Sequence, residues 1–136
     1  MLVPDEKVIA AAKALLGSPF HHAGRDPLVG IDCAGLVIAV GASVGTVITG
    51  PVDYQPRGDF GAMMAELSAQ LAPADRPSDA PGNIISISYR LAAAHCAIVI
   101  DHGFIIHAIQ ERGTVLDSYR RYEKHITGAW RYKNGK

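Results

Sequence analysis

The order of hydrophobic periodicities predicts an α+β fold, with helices in the first half packed on an antiparallel β-sheet in the second. Apolar residues recur at helical spacing up to residue 71. From residue 83 onward, short runs rich in Ile, Val and aromatic residues take over, several separated by Gly-containing turns. Between the two lies a polar connector holding Pro73, Pro77 and Pro81, which reads as a surface loop and not as a domain boundary. The 136 residues are expected to form one domain, 1–136, large enough to bury a core without staples.

The first helix starts at Pro4-Asp5-Glu6, where proline and acidic residues suit a first turn. Val8, Ile9, Ala12, Leu15 and Leu16 share its apolar face, and Gly17 with Pro19 ends it. Residues 18 to 31 read as a loop rich in Gly, Pro and His. A second helix is expected from Cys33 to Val44, with Leu36, Val37 and Val40 facing the core and Gly41 and Gly45 marking its end. The third spans residues 60 to 71, capped by Asp59, with Met63, Met64, Leu67 and Leu71 as its apolar stripe. Strands follow at Ile84–Tyr89, Ala94–Ile100, Phe104–Ile109, Thr114–Tyr119 and Ile126–Tyr132.

Composition narrows the class of function. Thirteen Lys and Arg balance thirteen Asp and Glu, so there is no basic footprint for nucleic acid. Two cysteines are too few for a disulfide framework. No basic region followed by an apolar run lies near Met1, so no signal peptide is expected, and no stretch nears the ~18 apolar residues of a membrane span. The expected location is cytoplasmic as synthesised.

The chemistry concentrates at Gly30-Ile31-Asp32-Cys33-Ala34-Gly35-Leu36-Val37, where a loop becomes a helix at a cysteine. The first turn of a helix carries unpaired N–H groups and about half an elementary positive charge. A cysteine there ionises below the ~8.5 of a free thiol, and the thiolate is the nucleophilic form. Strand parity selects its partners. In Ala94–Ile100, His95 shares a face with Ala97 and Val99, while Cys96 points the other way and reads as a small buried hydrophobe. If Asp101-His102-Gly103 forms the turn, Ile100 pairs with Phe104 and Ala97 with His107. His107 then lies on the face of His95, one diagonal step of ~7–8 Å away. Packing the start of the Cys33 helix against that face would assemble a nucleophile, a base and an orienting group. The residues alone leave open the alternative that these are ordinary strand histidines. His102 and His125 read as turn and surface residues.

With these motifs in view, the sequence resembles the NlpC-type cell-wall cysteine peptidases, which have a papain-like α+β fold. The matching segments are Gly17-Ser18-Pro19-Phe20-His21-His22-Ala23-Gly24, the Asp32-Cys33 segment, Pro81-Gly82-Asn83, Ala94–Val99 and Ile106-His107-Ala108. Asp53-Tyr54 and Gly128-Ala129-Trp130-Arg131-Tyr132 look most like the phage-associated branch. The resemblance implies a catalytic set of Cys33 as nucleophile, His95 as base and then acid, and His107 as orienter. It implies peptidoglycan stem peptides as substrate, cut between γ-D-glutamate and the diamino acid, with phage tail proteins as partners and a virion tail as a second location. It implies no cofactor and no metal.

Phe20 departs from the family's pattern, which carries a tyrosine at that place whose hydroxyl helps bind the oxyanion. Losing one such donor can cost ~2.7–4 kcal/mol in the transition state. His21, His22 or backbone N–H groups near Cys33 are the candidates to replace it, which puts Phe20, His22 and Asp32 in the expected oxyanion and substrate pocket. Asp32 is expected to cap the helix or contact a substrate amine. Asn83, where the family has Asp, is expected to be structural. Three rivals stand beside hydrolysis: a structural tail-assembly component with a weakened site, a zinc site from Cys33, His95 and His107 with His22, and acyl transfer on the same fold.

Overall fold

The computed structural model describes residues 1–54, 60–88 and 94–135, apart from the side chains of Phe60 and Ala94. In these residues the helices are α1 (Asp5–Ala14), α2 (Cys33–Ser43), α3 (Phe60–Ser68) and a single turn, α4 (Tyr119–Tyr122). A two-residue ribbon, β1 (Arg25–Asp26) and β2 (Gly30–Ile31), sits between α1 and α2. The main sheet has six antiparallel strands: β3 (Ala72–Pro73), β4 (Ile84–Ser88), β5 (Ala94–Asp101), β6 (Phe104–Ile109), β7 (Gly113–Ser118) and β8 (Ile126–Arg131). Their spatial order is β3-β8-β4-β5-β6-β7. The α+β fold is thus the one the periodicities predict.

Each face of the sheet has its own apolar layer. On one side Ile84, Cys96, Ile98 and Ile106 pack with Leu36, Val37 and Val40 of α2 and Met63 and Leu67 of α3. On the other, Ile85, Ile87, Ala97, Val99 and Ile105 pack with Tyr119 and are covered by Tyr122, Ile126 and Ala129. Burial on both faces explains why β4 reads Ile-Ile-Ser-Ile and does not alternate. Helix α2 is apolar almost all round, as a helix sandwiched between α1, α3 and the sheet must be.

Several expectations need correction. Helix α1 ends at Ala14, and Leu16, assigned to the core, is 43% exposed. The backbone turns at Gly17, whose φ of 92° is left-handed, and the chain then bonds to the far edge of the sheet: Gly17 N–H donates to the Thr114 carbonyl and Thr114 N–H to the Ser18 carbonyl, 2.9 Å each. Residues 18 to 31, read as loop, hold the β1–β2 ribbon. The prolyl connector contributes strand β3, whose Pro73 sits on the outermost strand, where a missing N–H costs no ladder bond. Strand β7 stops at Ser118, and Tyr119 begins α4. The third helix ends at Ser68, short of the expected residue 71; its expected cap Asp59, like Tyr89 at the end of β4, lies outside the described residues.

The β5–β6 turn also differs. Asp101 pairs with Phe104, so His102-Gly103 is the loop and Ile100 falls at an irregularity in β5. The interior register is still the one counted from a three-residue turn: Ile98 opposes Ile106 and Val99 opposes Ile105. One extra residue at the bulge compensates for one fewer in the loop.

Candidate active site

The start of α2 is built by Asp32. Its extended backbone (φ −100°, ψ −170°) makes it the N-cap, and its Oδ1 accepts the Gly35 N–H at 2.8 Å. The same oxygen takes Arg25 Nη1 at 3.1 Å, while Oδ2 takes the Ala23 N–H at 2.9 Å and the Tyr54 hydroxyl. Two oxygens thereby serve four donors, and the residue is 4% exposed. Of the two roles expected for Asp32, the cap is the one this geometry provides, because no acceptor position faces outward for a substrate amine. Arg25 continues the network, donating from Nη2 to the Pro51 carbonyl at 2.8 Å. Burial and the bond to Asp32 raise the Tyr54 phenol well above its ordinary pKa, so it stays a donor.

Gly35 makes this corner possible. A Cβ there would collide with the backbone carbonyl of Gly24. The small residue two places after the cysteine lets the 24–30 ribbon lie flat against the first turn of α2.

Cys33 opens the helix and is 7% exposed. Its carbonyl accepts the thiol proton of Cys96 at 3.2 Å, and the Cys96 thiol and the His95 ring both act on the ionisation of its own sulfur. Burial alone would push the Cys33 thiol upward. The Cys96 S–H and the charge and hydrogen bond of His95 outweigh it, lowering the pKa to about 5. Cys96 is raised by the same contact and by burial, so it remains a thiol that donates. Cys96 is therefore buried, as parity predicts, but as a hydrogen-bond donor to the helix start.

The expected packing of α2 against the His95 face is corrected here. Helix α2 packs on the opposite face, with Cys96, Ile98 and Ile106. Cys33 meets His95 because both lie at ends of their elements. Cys33 is the first residue of α2 and His95 the second of β5.

Behind His95 runs a chain of side chains on one face. His95 Nε2 is 3.0 Å from His107 Nδ1, and His107 Nε2 is 3.0 Å from Asp117 Oδ2. His107 is fully buried, its ring edge-on to those of His95 and Tyr122. Burial, and then the nearby His95 charge, lower its pKa to about 4 against the pull of Asp117, so it is neutral at pH 7. Asp117 is half-buried beside it, its side chain 8% exposed, and although burial opposes ionisation, the Ser118 N–H, His107 and Arg121 keep its pKa below the ordinary carboxylate value.

The remaining candidates lie further out. Phe20 is half-buried, bridges Ile31 in parallel and packs on the helix-side core. His22 Nε2 is 2.7 Å from the Tyr54 carbonyl, so that nitrogen carries a proton and is already engaged. His21 is exposed, with Nδ1 2.9 Å from the His22 carbonyl. His102 is exposed, with Nδ1 3.4 Å from Asp79 Oδ2. Asn83 is fully buried, accepting from Arg76 and donating to the Pro77 and Ser78 carbonyls, a structural arrangement. Among the described residues no three His, Cys, Asp or Glu side chains are grouped to hold a metal. His95 Nε2 and His107 Nδ1 are engaged with each other, and His107 Nε2 with Asp117.

The profile of the NlpC/P60 family matches residues 17–131. The chain belongs to the NlpC/P60 family. Three solved structures share the fold of this NlpC/P60 chain. An NlpC/P60 family protein of Bacillus cereus superposes with a TM-score of 0.71 at 22% identity, covering 100% of this chain and 42% of that one. The NlpC/P60 domain of the peptidoglycan hydrolase SagA gives 0.70 at 20%, covering 94% and 98%. The P60 domain of an antigen from M. avium subspecies paratuberculosis gives 0.66 at 16%, covering 97% and 96%. This chain thus spans less than half the length of the B. cereus protein. A search of the curated proteins found no match.

Two features of this arrangement, Asp117 and the donor role of Cys96, are not among the sequence expectations above. Asp117 was countable: the β6–β7 register sets Ile105 opposite Asp117 and His107 opposite Val115, which puts Asp117 on the His107 face one diagonal step away. Carrying the parity argument one strand further finds it. The donor role of Cys96 had no such signal, because it depends on which face of the sheet α2 covers.

Proposed function

We propose that this chain is a cysteine peptidase that hydrolyses amide bonds in peptidoglycan stem peptides. The observation that carries the reading is a thiol at the start of α2 lowered to about 5, in part by His95, whose Nε2 is itself 3.0 Å from Nδ1 of a second, buried histidine. In this mechanism the Cys33 thiolate, paired with protonated His95, attacks the stem-peptide carbonyl. The N–H of Cys33, at a helix position with no intrahelical partner, supports the developing oxyanion. His95 gives its proton to the leaving amine, and the acyl group stays on sulfur. His95 then takes a proton from water, whose hydroxide displaces the sulfur and releases the acid.

The finer reading places the cut between γ-D-glutamate and the diamino acid and the protein in a phage tail, among tail proteins, after synthesis in the cytoplasm. Its support is the resemblance carried by Asp53-Tyr54 and Gly128–Tyr132. Residues 1–136 act as one catalytic unit in this reading. Phe20, which offers no donor where the family has tyrosine, favours a second reading as a structural tail component with a weakened site.

Purified sacculi incubated with the protein and with Cys33→Ala, followed by mass spectrometry of the soluble fragments, separate the two. Hydrolysis predicts stem-peptide fragments ending in γ-D-glutamate with the native chain and none with the variant. Identical fragments from both overturn Cys33 as nucleophile; none from either supports the structural reading.

A further inference from the structure

We propose that Asp117 is a positioning residue of this site, fixing through His107 the tautomer in which His95 can take a proton from Cys33. The inference rests on the peptidase reading only for its effect on turnover; its geometry stands on its own. An ionised carboxylate can only accept, so the 3.0 Å contact to Asp117 requires a proton on His107 Nε2. A neutral imidazole carries one proton, which leaves His107 Nδ1 as a lone pair. That lone pair sits 3.0 Å from His95 Nε2, which must then be the donor. In neutral His95 the remaining nitrogen, Nδ1, is a bare acceptor, and it is the one left for the sulfur. Each assignment forces the next, and the sequence begins at Asp117.

The surroundings hold Asp117 to that duty. Ser118 N–H donates to its Oδ1 at 2.7 Å, Tyr122 Oη to its Oδ2 at 3.3 Å, and Arg121 Nε lies 3.5 Å from Oδ1. Among the described residues, Arg121 on α4 and Arg112 between β6 and β7 are the cations near the Asp117–His107 pair; His95 faces it from β5 and Tyr122 from α4. Without a fixed acceptor at Asp117, His107 is free to carry its proton on Nδ1 and donate it to His95 Nε2. Neutral His95 then bears its proton on Nδ1, pointing a donor at a thiol it needs to deprotonate.

The test compares the native chain with Asp117→Asn and Asp117→Glu. Ring-nitrogen NMR of the native protein should show His107, and His95 in its neutral form, both protonated on Nε2. Asp117→Asn should populate the Nδ1 tautomer of His107 and shift the acid limb of Cys33 alkylation by iodoacetamide to higher pH. On sacculi it should lower kcat by about 10–100-fold with KM held, the order seen when an orienting partner is removed. Asp117→Glu, which restores an anionic acceptor, should recover most of the loss. A native His107 protonated on Nδ1 overturns the proposal, and so does an Asn variant, folded by circular dichroism, whose alkylation profile matches the native one. If the chain proves inactive on sacculi, the peptidase reading fails, while spectra and alkylation still decide the role of Asp117.

Discussion

Cys33 reacts as its neighbours dictate, and the least expected of these is Cys96. A thiol is a weak donor, yet here it is buried, 3.2 Å from the Cys33 carbonyl, and it favours ionisation of the Cys33 thiol. Its loss removes one group that favours the thiolate and leaves His95 alone to offset burial and the Asp32 charge. Cys96→Val, which fills similar space without a donor, should therefore raise the pH midpoint of Cys33 alkylation, by roughly 1 unit if the lost bond is worth ~1–2 kcal/mol. Titrating the alkylation rate in the two proteins measures this, and coincident midpoints would remove Cys96 from the account. At this scale the sequence was readable where parity governs. The common face of His95 and His107 follows from counting along two strands across one turn. The engagement of His22 with Tyr54 does not, because it depends on where residues 51–54 return to the ribbon.

At the scale of elements, the corner made by the β1–β2 ribbon and α2 supports the site. Asp32 ties together Ala23, Arg25, Gly35 and Tyr54, and the close approach depends on Gly35 having no side chain. Gly35→Ala adds a methyl where the Gly24 carbonyl stands, and backbone is the least able of groups to yield. The substitution should cost about 1–3 kcal/mol of stability, the usual range for overpacking, despite alanine's better helix propensity. Chemical denaturation measures it; an alanine variant as stable as the native chain would show that the ribbon moves freely. The long helices and strands were legible because five to eleven residues carry a pattern or a continuous apolar run. Ribbon β1–β2, strand β3 and the single turn α4 are too short to show one, and β3 exists because the longer β8 offers it hydrogen bonds.

The molecule as a whole places the sulfur and the imidazoles on different faces of one sheet. Two apolar layers enclose the sheet, α2 and α3 on one side and Tyr119, Tyr122 and Ile126 on the other. The helix-borne thiol is influenced by His95 at the start of β5. Arg76 and Arg131 both bond Asp5 of α1, and the buried Tyr132 hydroxyl donates to the Val37 carbonyl of α2 at 2.6 Å. That both faces of the sheet are covered was not legible from alternation, which β4 lacks, and so the sequence pointed α2 to the wrong side while still naming the residues that meet. The central claim is that this meeting makes Cys33 a thiolate at neutral pH. Its most direct test is the rate of Cys33 alkylation by iodoacetamide across pH 4 to 10. Because ionisation is complete above a lowered pKa, the rate should rise through about pH 5 and stay level from pH 7 upward. A rate that is negligible at pH 6 and still climbing at ~8.5, as for a free thiol, would contradict the account.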